Sequence, residues 1–422
     1  MPEPDYMFHR IVAGCGLFAM IFFAWCLSRH KWKFPFRVVF GGLAIQLTLV
    51  LLILKTEQGR KLFSWLGETF TKLLDFVDEG CVIVFGDNFR DFYFAFKVLP
   101  TIVFFSALMA VLYHLRVMQF VVKALAWVLQ STLKISGAES LSAAANIFVG
   151  QTEAPFVIRP YIPTMTKSEL TAIMTGGFAT VAGGVLALYV GWGIDAGHLI
   201  TASFISAPAG LLIAKVIYPE TETPVTASGA NADIPVETSN VIEAATSGAS
   251  DGLKLALNVA AMLIAFTALI AMCDYLLSSL TLWIGNTVFN LGWKTGISLS
   301  LIFGYLFAPL AWLMGIEWRE CLQAGELLGL KMIANELIAY DRMREMLPGT
   351  EVGTALSART VTIMTYALSG FSSFASIGIQ VGGIGGLCPE RRKDLAELGL
   401  KAMLGGTLAC CMTACIAGIM IG

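Results

Sequence analysis

The feature that most constrains this chain is a series of long apolar runs. A helix needs about 20 predominantly apolar residues to cross the hydrocarbon core of a bilayer. Six runs meet this requirement: His9–Ser28, Val38–Leu54, Phe94–Leu115, Leu170–Val190, Leu199–Ile217 and Leu255–Leu276. The chain is therefore predicted to be an all-α integral membrane protein.

Composition agrees with this prediction. The 422 residues are 56% hydrophobic and 14% charged, whereas soluble domains are about a quarter charged. A soluble protein of this length would need more charge to cover the polar surfaces of its domains. The formal net charge of −2 also argues against a nucleic-acid partner, because binding to phosphates requires a clustered basic face.

Two further segments complete a predicted set of eight spans. Thr360–Gly386 is rich in glycine and serine, while Leu398–Ile421 is more uniformly apolar. The basic loop Arg29–Arg37 is predicted to be cytoplasmic, since positively charged loops stay on that side. An even number of spans then places both termini outside and Glu390–Lys393 in the cytoplasm. The apolar run Ile297–Gly315 is not placed by this count, and a ninth span there would reverse the side of the last basic loop.

Three segments have the composition of surface elements. Thr56–Phe92 and Val117–Ile135 mix charges with large apolar residues at helical spacing, which predicts helices lying in the membrane interface. Pro219–Ser250 is rich in Thr, Ser, Ala, Pro and acidic residues and lacks an apolar period. This pattern is typical of a polar linker, and it separates two halves of the chain.

Each half contains one segment that is too polar to face lipid, although apolar sequence surrounds it. These segments are Ala143–Pro163 and Gln323–Arg344. The parity of the spans puts the first on the cytoplasmic side and the second on the outer side. We therefore expect two re-entrant hairpins in an inverted internal repeat.

Each polar segment is followed by a span that glycines interrupt. The interruptions lie in Thr175–Val185 and Leu368–Gly378, and both contain Gly-Phe followed by Ala or Ser and then Thr or Ser. Unwound backbone survives at membrane depth only where protein or a water-filled cavity satisfies its amides and carbonyls. Matching interruptions in two halves predict a transporter's binding site near the middle of the bilayer.

The polar segments carry two acidic residues, Glu153 and Glu336. A charge near the bilayer centre costs about 2.5–3.5 kcal/mol on insertion scales, so intramembrane acids usually serve a function. The alternative is a structural ion pair with a nearby Arg or Lys. We expect the two carboxylates to meet in one cavity.

At these positions the sequence resembles the concentrative nucleoside transporter family. Gly150–Pro155 is similar to the tip of the family's first hairpin. Gly329–Tyr340 fits the signature G-x-K-x3-N-E-hydrophobic-hydrophobic-A-aromatic, with Leu337 where Phe is commoner. Gly370–Gly378 is similar to the second broken helix. The resemblance extends from about Pro100 to the C-terminus.

The resemblance implies an elevator-type transporter with about eight transmembrane helices, two re-entrant hairpins and interfacial helices. It also implies a homotrimer in which each subunit moves a transport domain past a fixed scaffold. The expected parts are N-terminal spans and interfacial helices (1–92), a first repeat with hairpin 1 and its broken helix (93–218), a polar cytoplasmic linker (219–250), and a second repeat with hairpin 2 and its broken helix (251–422). The expected location is a bacterial inner membrane.

The resemblance assigns a nucleoside site residue by residue. The base would be contacted by Gln151, Thr152, Glu153 and Val185. The ribose would be contacted by Glu336, Ser373 and Ser376, with Phe371 packed beside them. Such groups suit the task, because an amide matches donors and acceptors on a base edge and a carboxylate accepts from ribose hydroxyls. Ser373 departs from the family, where Asn is usual, so the preferred nucleoside is left open.

The coupling ion implied by the resemblance is sodium. Its ligands would be the side chains of Asn146 and Thr180 and the carbonyls of Val149 and Val181. Oxygen ligands from unwound helices suit a hard cation of this kind. Coupling to a proton carried by Glu153 or Glu336 is the competing interpretation, because a desolvated carboxylate binds a proton more readily.

Two other functions are also considered. A carrier of nucleobases or other small polar solutes would use the same architecture. An intramembrane enzyme is the alternative from another class, but the four histidines form no ligand motif and H-E-x-x-H does not occur. No cofactor is expected, and no Walker-type phosphate loop occurs.

Overall fold

The computed structural model describes residues 6–92, 94–229, 238–288, 296–348 and 355–421. The regular elements in these ranges are helices, as the all-α prediction requires. The α-helices are α1 (Tyr6–Cys26), α2 (Phe36–Val50), α3 (Glu57–Phe85), α4 (Leu99–His114), α5 (Val117–Leu133), α6 (Gly137–Ala145), α7 (Lys167–Ala179), α8 (Gly183–Gly191), α9 (Ala196–Ile217), α10 (Val241–Trp283), α11 (Leu299–Leu313), α12 (Cys321–Ile333), α13 (Glu336–Glu345), α14 (Ala358–Leu368), α15 (Phe374–Leu387) and α16 (Arg392–Met420).

Seven helical stretches of the described chain are long and apolar enough to cross a membrane. They are Met7–Cys26, Phe36–Ile53, Ala95–His114, Lys167–Gly191, Ala196–Ile217, Val241–Trp283 and Pro389–Met420. Each overlaps one of the predicted spans. The eighth predicted span, Thr360–Gly386, is divided between α14 and α15, as Lys167–Gly191 is divided between α7 and α8.

The polar segment between the two halves is shorter than predicted. The predicted linker reaches residue 250, but α10 already begins at Val241. The side chain of Asn240 caps this helix, since its Oδ1 accepts a hydrogen bond from Glu243 N at 2.8 Å. Residues 230–237 of the predicted linker lie outside the described residues.

The segments predicted to lie in the interface are helical. Thr56–Phe92 contains α3, and Val117–Ile135 contains α5. Both helices leave large apolar side chains exposed, such as Trp65 on α3 and Trp127 on α5. The run Ile297–Gly315, which the sequence does not place, forms α11.

The first polar segment forms two short helical arms that pack against each other. The first arm is α6, which a capping box starts: Ser136 Oγ accepts from Glu139 N at 3.3 Å, and Glu139 Oε2 accepts from Ser136 N at 3.0 Å. The second arm is a 3₁₀ helix, Ala154–Thr164. Prolines at 155, 160 and 163 lack the N–H groups that a regular α-helix would use.

A buried ion pair fixes the base of this first hairpin. Glu139 on α6 pairs with Lys215 on α9, and both side chains are at most 4% exposed. Lys215 Nζ also donates to Ser168 Oγ on α7 at 2.8 Å. Breaking a buried pair by removing one partner is strongly destabilising, because an uncompensated charge stays behind. The hairpin is therefore held to α7 and α9 at this end.

The second polar segment forms α12 and α13, with a sharp turn at Ala334 and Asn335. Asn335 caps α13, because its Oδ1 accepts from Ile338 N at 2.9 Å. Lys331, which is fully buried, donates from Nζ to Ala367 O at 2.8 Å. That carbonyl lies in the last turn of α14, where carbonyls have no partner within the helix. The second hairpin is thereby tied to the end of the next helix.

Helix α16 runs through the interior of the molecule. Every residue from Gly405 to Gly418 is buried, and the helix packs against α1, α7, α9, α14 and α15.

The element order is the same in the two halves. A first helix, a surface or apolar helix, a two-armed hairpin, a broken helix and a final long helix follow each other from α4 to α9 and from α10 to α16.

Candidate functional site

The candidate site is centred on two helix interruptions that touch. Helix α7 ends at Ala179 and α8 begins at Gly183, while α14 ends at Leu368 and α15 begins at Phe374. A Cβ atom on Gly370 would lie 2.6 Å from Phe178 O and 2.6 Å from Cys410 Sγ. Glycine is therefore required at this contact, because any side chain would collide with backbone. The second interruption therefore packs against the end of α7, where the first interruption begins.

One residue of α16 contacts both interruptions. Cys410 Sγ lies 3.6 Å from Ala179 O and 3.3 Å from Ser369 O. These carbonyls belong to two different broken helices. A thiol carries one hydrogen and is a weak donor, so Cys410 can donate to one of the two carbonyls at a time. Cys410 therefore contacts the end of α7 and the second interruption together.

The tip of hairpin 1 reaches the first interruption and α15. Gly183 N donates to Phe148 O at 3.1 Å, which joins the tip to the start of α8. Gln151 Oε1 accepts from Gln380 Nε2 on α15 at 2.9 Å. A Cβ atom on Gly383 would lie 3.0 Å from Thr152 Cγ2, so this part of α15 also packs directly on the tip.

The four residues predicted to contact a base have different surroundings. Gln151 is 7% exposed and Val185 is 2% exposed. Thr152 is half-buried, and its Oγ1 donates to Glu153 Oε1 at 3.0 Å. Glu153 is exposed. Glu153 is therefore the most exposed member of this set.

The two serines predicted to contact a ribose form a pair at the start of α15. Ser373 caps the helix, since its Oγ accepts from Ser376 N at 3.3 Å, and the two Oγ atoms lie 2.9 Å apart. Both side chains are buried, while Phe371 is half-buried and packs against the main apolar core. The serines thus place two neighbouring hydroxyl groups in buried surroundings at the second interruption.

Glu336, the remaining predicted ribose contact, lies at the first position of α13. Its side chain is 3% exposed, and its Oε2 has no hydrogen-bond partner among the described residues. A helix N-terminus favours negative charge because its N–H groups carry partial positive charge. The Tyr189 hydroxyl is a polar neighbour of this carboxylate, and Oε2 can accept a further hydrogen bond from a ligand.

Two tyrosines join α8 to α13 next to this carboxylate. Tyr189 and Tyr340 stack with ring centroids 4.0 Å apart. Tyr340 Oη donates to Thr365 O at 2.7 Å on α14. Glu336 and Tyr340 are one helical turn apart, so the stacked rings cover the face of α13 that carries the carboxylate.

Two of the four predicted sodium ligands, Asn146 and Thr180, lie beside one glycine of α7. Thr180 Oγ1 donates to Gly176 O at 2.9 Å, and a Cβ atom on Gly176 would lie 3.6 Å from Asn146 Nδ2. Asn146 is 1% exposed, and its Oδ1 has no partner in the described chain. A buried oxygen without a hydrogen bond fits a cation that takes oxygen ligands. Val149 follows Phe148 and Val181 lies two residues before Gly183, so both are close in sequence to the hydrogen bond between Gly183 N and Phe148 O.

A cavity of about 490 Å³ opens beside hairpin 1. Its described lining comes from the hairpin, the first interruption, α4 and α10, and includes Val149, Gly150, Glu153, Ala182, Gly183, Ser106, Tyr113, Asp251 and Leu255. This volume is within the range of small-molecule sites. Glu336 is not among the described lining residues, so the two carboxylates do not share this cavity. Glu153 faces the cavity, and Glu336 is enclosed.

The sequence reasoning did not identify Gln380 or Cys410. Gln380 is fully buried and contacts Gln151, one of the predicted base ligands. The spacing of Gln380 from the two serines could have identified it. Ser373, Ser376 and Gln380 are three and four residues apart, so they lie on one face of α15. A lone amide in an apolar run is itself an indicator of function.

Comparison with known proteins identifies the family. Profiles described as Na+ dependent nucleoside transporter C-terminus, Na+ dependent nucleoside transporter N-terminus and nucleoside recognition match residues 198–418, 15–88 and 95–194. The chain belongs to the concentrative nucleoside transporter family. This family consists of transporters and not enzymes, which excludes the enzyme considered above.

Relatives within the family differ in length. An uncharacterized transporter, YutK, of Bacillus subtilis (strain 168) is 45% identical over 410 residues, covering 96% of this chain and 98% of that protein. Solute carrier family 28 member 3 of Mus musculus is 41% identical over 421 residues, covering 97% of this chain and 59% of that protein. The chain thus spans about three fifths of the length of the mouse relative.

Solved structures of the transporter CNTnw have the same fold. The inward-facing substrate-bound state aligns with a TM-score of 0.89 at 42% identity and covers 98% of this chain and 99% of that one. A doubly substituted CNTnw in an outward-facing state aligns with a TM-score of 0.90 at 41% identity and covers 98% of each chain.

One letter pattern in this family member would suggest an enzyme if taken alone. Gly248–Gly252 reads G-x-S-x-G, the pattern of a hydrolase nucleophile elbow. That elbow requires a sharp turn between a strand and a helix. Here the five residues lie inside α10, and Cβ atoms on Gly248 and Gly252 would lie within 2.8 Å of Ser106 on α4. The glycines therefore serve the close packing of two helices.

Proposed function

We propose that this protein is a sodium-coupled symporter that imports nucleosides. The observation that carries the proposal is the convergence of two unwound helices with the tip of a polar hairpin, in a chain that belongs to a family of nucleoside transporters. Unwound backbone at membrane depth is compatible with a bilayer where it lines a binding site.

In the proposed site, the base lies against hairpin 1 and the ribose lies against the second interruption. Gln151, Thr152, Glu153 and Val185 would contact the base, and Glu336, Phe371, Ser373 and Ser376 would surround the ribose. The position of Gln380 supports this arrangement, because it connects Gln151 to the helix face that carries both serines. A site of such groups rejects ligands that leave its buried polar atoms unpaired, at about 1–3 kcal/mol for each atom.

Sodium is proposed as the co-transported ion. The unpartnered Asn146 Oδ1 and the neighbouring Thr180 hydroxyl support this choice, with the carbonyls of Val149 and Val181 completing the ligand set. The ligands come from hairpin 1 and the first interruption, so the bound ion would stabilise the same tip that contacts the base.

Alternating access is proposed to follow an elevator movement in a homotrimer. The similarity to CNTnw in both inward-facing and outward-facing states supports a fold that serves both. We further propose eight transmembrane elements in an inverted repeat, a bacterial inner membrane as the location, and both termini on its outer side.

The test is uptake of radiolabelled uridine into liposomes that contain the purified protein. Separate inward gradients of sodium, potassium and protons are imposed at equal membrane potential. We expect accumulation with sodium alone, and unlabelled nucleosides should compete where free nucleobases do not. Equal uptake in all three gradients, or competition by nucleobases at the same concentration, contradicts the proposal.

Proton coupling is the second candidate, and one observation favours it. Glu336 is enclosed and its Oε2 lacks a partner within the described ranges, as suits a carboxylate that binds a proton during transport. In the same liposomes, accumulation driven by a proton gradient and abolished by a protonophore would favour this candidate over sodium.

A further inference from the structure

Gln380 holds the amide of Gln151 in one orientation. Gln380 lies on α15 and is fully buried. Its Nε2 donates to Met174 O at 3.1 Å and to Gln151 Oε1 at 2.9 Å. A carboxamide nitrogen carries two hydrogens, so these two bonds use both of its donors.

The orientation follows from a backbone carbonyl. Met174 O can only accept a hydrogen bond, so the Gln380 atom that faces it must be the nitrogen. The second hydrogen of that nitrogen must then meet an acceptor, which assigns Oε1 to the Gln151 atom on the other side. Side-chain amides are usually ambiguous in this respect, but here the chain Met174, Gln380, Gln151 removes the ambiguity.

Gln151 is left with its donors free. Its Oε1 is occupied by Gln380, and its Nε2 makes no hydrogen bond to the described residues, while the side chain keeps 7% of its surface exposed. Gln380 also follows Ser376 by one helical turn on the same face of α15. Gln151 therefore contacts the face of α15 that carries Ser373 and Ser376, the two serines proposed to contact the ribose.

We propose that Gln380 is a positioning residue that makes Gln151 a hydrogen-bond donor to the nucleobase. The site then selects nucleosides whose base edge presents an acceptor, such as a carbonyl oxygen or an unprotonated ring nitrogen. This inference rests on the proposed function, since it assigns a selectivity to the same site.

The test compares two nucleosides in proteoliposome uptake. Uridine carries carbonyl acceptors on its base, whereas indole riboside has the same ribose and no hydrogen-bond acceptor on its ring system. In Gln380→Met, we expect the KM for uridine to rise about tenfold, as for one lost hydrogen bond. The KM for indole riboside and both kcat values should change less than about twofold.

Two further variants make the result specific. Ile379→Met, at the preceding and 40% exposed position, makes the same kind of replacement off this face and should leave both KM values unchanged. Gln151→Met should reproduce the uridine defect, and adding Gln380→Met to it should raise the KM no further. If Gln380→Met does not insert as a folded protein, Gln380→Asn takes its place, because it keeps an amide that is too short to reach both partners.

Three results overturn the inference while the proposed function stands. They are an unchanged uridine KM in the variant, an equal rise of KM for both nucleosides, and a further rise when Gln380→Met is added to Gln151→Met. The second would mean that Gln380 only supports the fold. Failure of the unmodified protein to transport either nucleoside contradicts the proposed function itself, and the inference falls with it.

Discussion

The two hairpins present the same acidic side chain in opposite surroundings. Glu153, at the tip of hairpin 1, is exposed and lines a cavity of about 490 Å³. Glu336, at the tip of hairpin 2, is 3% exposed and lies beneath a pair of stacked tyrosines. A chain built from two similar halves therefore holds one carboxylate open and the other closed.

The difference has a local structural cause. The arm that follows Glu153 is a proline-rich 3₁₀ helix, whereas Glu336 begins a regular α-helix whose cap and neighbours hold it. In this conformation the cavity therefore reaches the acid of hairpin 1, while the acid of hairpin 2 is buried.

The largest expected effect is on the enclosed acid. Glu336→Gln removes the charge that would accept from the ribose, and hydrogen bonds to charged groups are worth about 1.5–3 kcal/mol. We expect concentrative nucleoside uptake to fall by about 100-fold. Uptake into proteoliposomes measures this, and gel filtration checks that the variant is folded. Unchanged rates would remove Glu336 from the site.

The contrast in exposure is tested by labelling. Glu153→Cys should react with a membrane-impermeant thiol reagent at least about ten times faster than Glu336→Cys, since the thiolate must be accessible to react. The unmodified protein, with its nine cysteines, gives the background rate. Equal rates would mean that the difference between the two tips does not persist in the membrane.

A smaller effect is expected at the open acid. Glu153→Gln keeps the size of the side chain and its bond from Thr152, and water can replace interactions of an exposed group at small cost. We expect the KM for nucleosides to rise about fivefold to tenfold, in contrast to the loss expected at Glu336. A loss as large as that of Glu336→Gln would show that the two acids are equivalent during transport.

The smallest effect concerns how hairpin 1 rests on α15. Gly383→Ala places a methyl group about 3 Å from Thr152 Cγ2, while Gly382→Ala next to it meets nothing within 4 Å. We expect Gly383→Ala to raise the nucleoside KM about twofold by shifting the tip a few tenths of an ångström. Gly382→Ala is the matched control and should have no effect on KM. Identical behaviour of the two variants would argue that the tip does not rest on α15 during binding.

The helix interruptions could be predicted because their cause is local. Glycines in the windows Thr175–Val185 and Leu368–Gly378 mark them, and the structure places the unwound residues inside both windows. The start of α10 was misjudged for a local reason as well, since Asn240 caps a helix whose first turns consist largely of Ala, Ser, Thr and Gly, the residues that the linker prediction was based on.

The partners of the missed residues could not be predicted. Cys410 contacts carbonyls that are 231 and 41 residues away in the chain, and Gln380 contacts a side chain 229 residues away. Every residue has a backbone carbonyl, so a sequence pattern cannot show which carbonyl a side chain will contact. The enclosure of Glu336 is likewise a property of packing, because the stacked tyrosines come from different halves.

Because the thiol of Cys410 touches carbonyls of both broken helices, α16 connects the two interruptions. We expect the two interruptions to shift together and not separately. A substitution at this cysteine should then weaken cation binding and solute binding in the same variant.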